Sequence, residues 1–151
     1  MNHNKVLKTP FCTYEITADL NHIDTNQHIN NIIYLQWMQD AAIEHVIKAG
    51  VLEATKLLNV TWFAKKHTIE YIAQGFEGDQ IKVITWVQEL TAISTLRKYH
   101  IYRKADNKLL CKGETRWVMI NTEKSKPTKI PKEIADLILV SLEDYIPKFI
   151  D

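Results

Sequence analysis

The sequence predicts an α+β domain in which one curved antiparallel β-sheet wraps around a single long helix. Three observations carry that prediction. A helix-period stretch from about residue 31 to residue 49 is apolar over most of its circumference, so it needs cover on several sides. One alternating segment precedes it and about four follow it. The chain has 151 residues, the size of one domain, and a helix of this apolar girth needs a large sheet to bury it.

The elements follow in order. Residues 1–9 are a polar lead-in that ends at Pro10. Residues 11–18 alternate, with Cys12, Tyr14, Ile16 and Ala18 on one face and Phe11, Thr13, Glu15 and Thr17 on the other, the pattern of a strand buried on one side. The segment from Asn21 to His28 is a polar loop. The helix then runs from Asn31 to Ala49, roughly 28 Å, and Gly50 supplies its C-terminal stop. Its polar positions Gln36, Asp40 and Glu44 form one narrow stripe, and Ile32, Trp37, Met38, Ala41, Ala42, Ile43, Val46 and Ile47 cover most of the rest. Such a helix is expected to be buried, with one chain encasing it only in part and a dimer that extends the sheet covering the rest.

Strands are expected over Trp62–Ala73, Ile81–Leu90, Thr95–Lys104 and Leu109–Asn121, with turns at 75–79 and at 105–108. In the last strand Cys111, Gly113, Thr115, Trp117 and Met119 share one face, and Lys112, Glu114 and Arg116 share the other. A Lys/Pro loop over 124–132 leads to a short helix from Glu133 to Leu142, whose Leu-Ile-Leu-Val run also suits a strand. The whole chain, 1–151, is therefore read as a single domain, with 124–151 as its C-terminal loop and short helix.

Composition removes several classes of function. Nineteen Lys and Arg against 18 Asp and Glu leave a net charge of +1, which gives no electrostatic case for nucleic acid or for an anionic membrane surface. The four glycines, Gly50, Gly75, Gly78 and Gly113, build neither a phosphate-cradling loop nor a dinucleotide fingerprint. None of Ser94, Ser125 and Ser141 stands in the G-x-S-x-G setting of a nucleophile elbow. Cys12 and Cys111 lie far apart, with no C-x-x-C spacing, and are read as free thiols. No cofactor is called for, and no metal, since the spacing of His22, Asp24 and His28 matches no zinc signature. The start, MNHNKVLKTP, has no apolar core of a secretory signal, and the longest apolar run is about four residues, far short of a membrane span. A cytoplasmic location is the expectation.

Chemistry concentrates in Asp24-x-Asn26-x-His28. These polar groups sit immediately before a helix N-terminus, which offers unpaired N–H groups and the positive end of the dipole. Such a place suits an oxygen on which negative charge develops. Asp24 would stand beside it as base or nucleophile, and His28 would orient a group or carry a proton. The same residues also suit purely structural work. Asp24 can close an Asx-turn, and Asn30 or Asn31 can cap the helix.

The run Asp24-Thr25-Asn26-Gln27-His28-Ile29-Asn30-Asn31, followed by Ile32-Ile33-Tyr34-Leu35-Gln36-Trp37, resembles the signature of hot-dog-fold thioesterases. It is closest to the acyl-ACP pattern D-x-N-Q-H-V-N-N-x-x-Y and is also similar to the 4-hydroxybenzoyl-CoA thioesterase-like pattern. Ile69-Glu70-Tyr71 with Gly78-Asp79, and Trp117-Val118-Met119-Ile120-Asn121 with Lys126-Pro127 and Ile130-Pro131, support the resemblance along nearly the whole chain.

The resemblance implies a hot-dog fold and hydrolysis of an acyl-CoA or acyl carrier protein thioester. Asp24, Asn26 and His28 would be the catalytic residues. Backbone N–H groups near Asn31 and Ile32 would polarise the carbonyl, with Tyr34 among the substrate-binding residues. Lys65, Lys66 and Arg97 would form a basic rim for the phosphopantetheine-carrying partner. The Glu-Cys pair of the acyl-ACP branch is replaced here by Gln74-Gly75, so a cysteine nucleophile is absent. Plant acyl-ACP enzymes join two hot-dog units in tandem and this chain holds one, so a homodimer or a dimer of dimers is expected. The alternative is a hot-dog module that binds acyl thioesters without cutting them.

Overall fold

Alternation places the strands of the computed structural model, which describes residues 10–147; the expected lead-in 1–9 lies outside the described residues. β1 (Phe11–Thr17) leads through a one-turn 3-10 helix (Leu20–His22) into α1 (Asn31–Lys48) and α2 (Val51–Leu57). β2 (Val60–Tyr71), β3 (Gln80–Leu90), β4 (Ser94–Arg103) and β5 (Lys108–Asn121) follow, then a two-residue β6 (Lys126–Pro127) and a one-turn α3 (Lys132–Ala135). The sheet order is β1-β3-β4-β5-β2, antiparallel throughout, with β6 beside the end of β5. β1 and β2 are its edges. This is the curled sheet around one long helix that the sequence predicts, the hot-dog arrangement.

The strand faces decide where the core lies. Val83 on β3, Tyr99 and Ile101 on β4 and Cys111 on β5 turn toward α1 and meet Tyr34, Trp37, Met38, Ala41 and Ala42. Burying an apolar side chain of this size contributes about 1.5–3 kcal/mol, so this seam fixes the helix on the sheet. α1 comes so close that a Cβ on Gly113 would collide with the end of Met38. At the C-terminal end of α1 a second cluster joins Val51, Val60, Met119, Ile130 and Ile134. On the outer face Ile146 covers Ile84, Trp86 and Tyr102, and the strap that brings it there is tied by His100 Nε2 to Glu143 at 3.0 Å.

Three expectations need correction, whereas α1 is covered only in part by one chain, as its apolar girth implies. Ile32, Ile43 and Ile47 are 71%, 52% and 57% exposed, because the sheet of one chain wraps only the face that carries Tyr34, Trp37, Met38, Ala41 and His45. Gly50 does stop α1, with φ +78°, but the chain turns at once into α2, which the pattern did not reveal. The expected helix over 133–142 is a single turn ending at Ala135; the chain then extends, and Val140 bridges to Val87 in parallel. The strands begin or end one or two residues from the expected limits, with β2 running 60–71 instead of 62–73. Among the described residues no helix is long and apolar enough to cross a membrane.

Candidate active site

The loop before α1 is built from its own backbone. Asp24 N–H donates to His28 C=O at 2.9 Å, and Gln27 N–H donates to Asp24 C=O at 3.1 Å. Gln27 takes φ +66° to close this turn. Asp24 Oδ1 accepts from the Asn26 N–H at 2.9 Å and from the His28 N–H at 3.3 Å. The Asx-turn is therefore formed, and it fixes the carboxylate by one oxygen only. Oδ2 accepts no hydrogen bond among the described residues.

The helix start is built in the same economical way. Asn30 is the N-cap, and its side chain accepts from the Ile32 N–H at 3.1 Å. Ile33 N–H donates to Asn30 C=O at 2.9 Å. The Asn31 N–H has no acceptor among the described residues. Of the two donors expected near Asn31 and Ile32, one is engaged by the cap and one is open, beside the positive end of an 18-residue helix.

Contacts from distant parts of the chain hold this corner still. Ile29 N–H donates to Gly75 C=O at 2.9 Å, and Asn30 N–H donates to His22 C=O at 2.8 Å. Tyr71 Oη donates to Asn31 C=O at 2.9 Å. The rings of His22, Trp37, Tyr34 and Tyr71 meet edge to face in sequence, with centroids 5.3–5.7 Å apart, a favourable aromatic geometry. A Cβ at Gly75 would collide with Ile29 and crowd the Tyr34 hydroxyl, so this position admits only glycine without a shift.

The site residues fare differently. Asp24 and His28 are half-buried and Asn26 is exposed; their side chains do not bond one another. The His28 ring instead stands edge-on to Phe76 at 5.4 Å. His22 Nδ1 accepts from the Asp19 N–H at 3.0 Å, so that ring serves the loop. Tyr34 is 2% exposed, and burial pushes its phenol up to about 12; it supports the loop from the core. Lys65 and Lys66 are exposed at a bulge in β2 and line a shallow groove with Thr68, Ser94, Glu114 and Arg116. That groove lies on the sheet face turned away from α1. Both cysteines are free and buried, and burial pushes the Cys111 thiol up to about 12, which leaves it protonated at neutral pH.

Arg97 is not on a rim. It is 5% exposed, and its Nη1 donates to His45 Nδ1 at 2.9 Å and to Thr85 Oγ1 at 3.0 Å. It faces a cavity of about 290 Å³ between the C-terminal half of α1, α2, β2 and residues 137–139, lined by Ala42, Val46, Trp62, Val87, Trp117 and Leu137 among others. From Asn31 to Ala42 the helix rises about 16 Å, so the cavity and the Asp24 loop occupy opposite ends of α1. The supports Tyr71, Gly75 and Phe76 were not among the expected site residues; Tyr71 and Gly75 stood out only through the resemblance, and Phe76 only as part of the turn at 75–79, just after β2.

Comparison with known proteins agrees with this architecture. Residues 19–138 match the family model described as the thioesterase-like superfamily. The chain is 24% identical over 140 residues to oleoyl-acyl carrier protein thioesterase 2, chloroplastic, of Arabidopsis thaliana; the match covers 88% of this chain and 37% of that protein, so the chain spans little more than a third of that relative's length. An acyl-ACP thioesterase structure from Bacteroides thetaiotaomicron superimposes with TM-score 0.78 at 23% identity, over 91% of this chain and 57% of that one. A 1,4-dihydroxy-2-naphthoyl-CoA thioesterase from Synechocystis superimposes with TM-score 0.76 at 18% identity, over 85% of this chain and 95% of that one. At these identities the superpositions establish the fold.

Proposed function

The chain belongs to the thioesterase-like superfamily, and from that premise we propose that it hydrolyses acyl thioesters at the N-terminus of α1. The observation that carries the reading is the pairing of two open groups in one rigid corner: Asp24 Oδ2, whose partner oxygen is held by two N–H donors, and the Asn31 N–H. Asp24 either activates a water or attacks the carbonyl carbon to give an anhydride that water then opens. The Asn31 N–H and the helix dipole stabilise the oxyanion as the thiolate leaves. His28 and Asn26 flank the carboxylate and would orient the thioester or the water.

The substrate is an acyl-CoA or an acyl carrier protein thioester, by analogy with the relatives named above. Lys65, Lys66 and the neighbouring Arg116 would meet the phosphates of that carrier; Arg97, being buried, has no part in such a rim. A second copy of the chain would cover Ile32, Ile43 and Ile47 on α1 and Phe63 on the edge strand β2, which is 60% exposed. Light scattering in solution should then give twice the chain mass or a multiple of it.

The test is thiol release from a panel of short, medium, long and aromatic acyl-CoAs and from the matching acyl carrier protein thioesters. Turnover of one acyl class is expected. Tight binding without thiol release from any of them would favour the non-catalytic module.

A further inference from the structure

The cavity at the C-terminal end of α1 contains a charge that no anion among the described residues answers. Arg97 is buried, and no carboxylate among the described residues pairs with it. A guanidinium carries five N–H donors and no acceptor. Nη1 engages His45 and Thr85, and because Arg97 can only donate, His45 Nδ1 accepts and the ring keeps its proton on Nε2. Nε and Nη2 have no acceptor among the described residues. Burying a cation without an anion is strongly unfavourable, and burial lowers the Arg97 pKa from its ordinary value. An arginine nevertheless keeps its proton.

The space in front of it is apolar and of useful size. Val46, Val87, Leu137 and the rings of Trp62 and Trp117 line it. At about 290 Å³ it is roughly twice the ~150 Å³ cavity that accommodates benzene. Its lining includes the exposed Leu139, which marks its mouth. An apolar channel closed by a fork of N–H donors matches one ligand chemistry, a planar carboxylate on an apolar stem.

We propose that this cavity binds the carboxylate of an apolar carboxylic acid, with Nε and Nη2 of Arg97 holding the two oxygens and the stem lying against Val46, Val87 and Leu137. Two sources share that chemistry. One is a free acid of the class that thioester hydrolysis releases. The other is the distal carboxylate of an acyl chain whose thioester stands elsewhere. The binding itself does not depend on the Asp24 reaction.

Trp62 and Trp117 line the site, so intrinsic fluorescence reads occupancy directly. Decanoate and shorter and longer straight-chain carboxylates are titrated against the alcohols of equal length. The wild type is expected to bind the acid about tenfold or more tightly than the alcohol, the scale of a bidentate charged hydrogen bond. Arg97→Met should erase that preference, Ala42→Leu should weaken both ligands by filling the cavity, and Asp24→Asn should leave both unchanged. Equal affinity for acid and alcohol in the wild type overturns the proposal, as does failure of every chain length to bind; neither result needs a variant that folds. To separate the sources, an ω-carboxyacyl-CoA is compared with the plain acyl-CoA of equal length. A lower KM for the former in the wild type but not in Arg97→Met assigns the carboxylate to the substrate. Equal KM values with competition by the free acid assign it to the free acid.

Discussion

At its N-terminus α1 meets a loop whose Asp24 and Asn30 side chains are held by backbone N–H groups, whereas its C-terminal half meets a buried arginine with two nitrogens unengaged among the described residues. The first end leaves one carboxylate oxygen and one N–H open, among the described residues, on a surface that hydrogen bonds to Gly75 and from Tyr71 tie to the distant end of β2. The second leaves a half-open apolar space and a charge unmatched among the described residues. Packing differs in the same sense. Gly75 admits no further atom beside Ile29 and Tyr34, while Ala42 borders a cavity. One helix thus supports a corner suited to reaction and a chamber suited to holding a ligand, about three turns apart.

Adding volume at each end should break the symmetry most visibly. Gly75→Val is expected to cost about 1–3 kcal/mol, the range for overpacking, and to slow thiol release by moving the Ile29–Asn31 backbone. Urea unfolding with the turnover assay checks both. Ala42→Val, which grows into free space, should stay within about 0.5 kcal/mol of the wild type, inside the spread of mild substitutions. Equal losses at the two positions would erase the contrast.

Removing the cap is a smaller intervention. Asn30→Ala frees the Ile32 N–H and should cost about 1 kcal/mol, a Tm decrease of roughly 2–4 °C for a chain of this size. It should affect turnover and leave carboxylate binding at the far end unchanged.

The smallest expected effect is on pH dependence. Burial pushes the imidazoles of His67 and His100 below their ordinary value. As pH falls, the unfolded chain therefore takes up these protons first. Their contribution to stability is full above about pH 6.5 and is lost as pH drops below that toward the lower folded values. Thermal melts at successive pH values should show this decline, and His100→Gln should flatten part of it. Neither ring belongs to the Asp24 loop, so the pH profile of turnover should not follow the profile of Tm.

The same contrast explains what the sequence disclosed. Strict alternation in β1 and β5 and the helix period over 31–48 announced the sheet and its helix, because a two-residue and a 3.6-residue period leave different records. The Asp24 loop was legible because its groups lie at alternate positions of one short run. Its supports were not, since Tyr71 and Gly75 reach it from some 40 residues away. α2 is seven residues behind a glycine, too short to show a period, and the chain after Ala135 turns from helix to extended within one apolar run. Arg97 was misplaced by its charge, although it alternates with Tyr99 and Ile101 on the face that meets α1. Charge indicated the outside, register indicated the inside, and register prevailed.

The central claim is that the reaction belongs to the N-terminal end of α1, and Asp24→Asn tests it most directly. The amide keeps the Oδ1 acceptor for the Asn26 and His28 N–H groups and removes the charge. Thiol release by wild type and variant should be compared alongside their thermal melts. The account predicts a loss of about a hundredfold or more in kcat, the scale of a missing base or nucleophile, with Tm nearly unchanged. Equal turnover by the two proteins would contradict it and move the chemistry away from this loop.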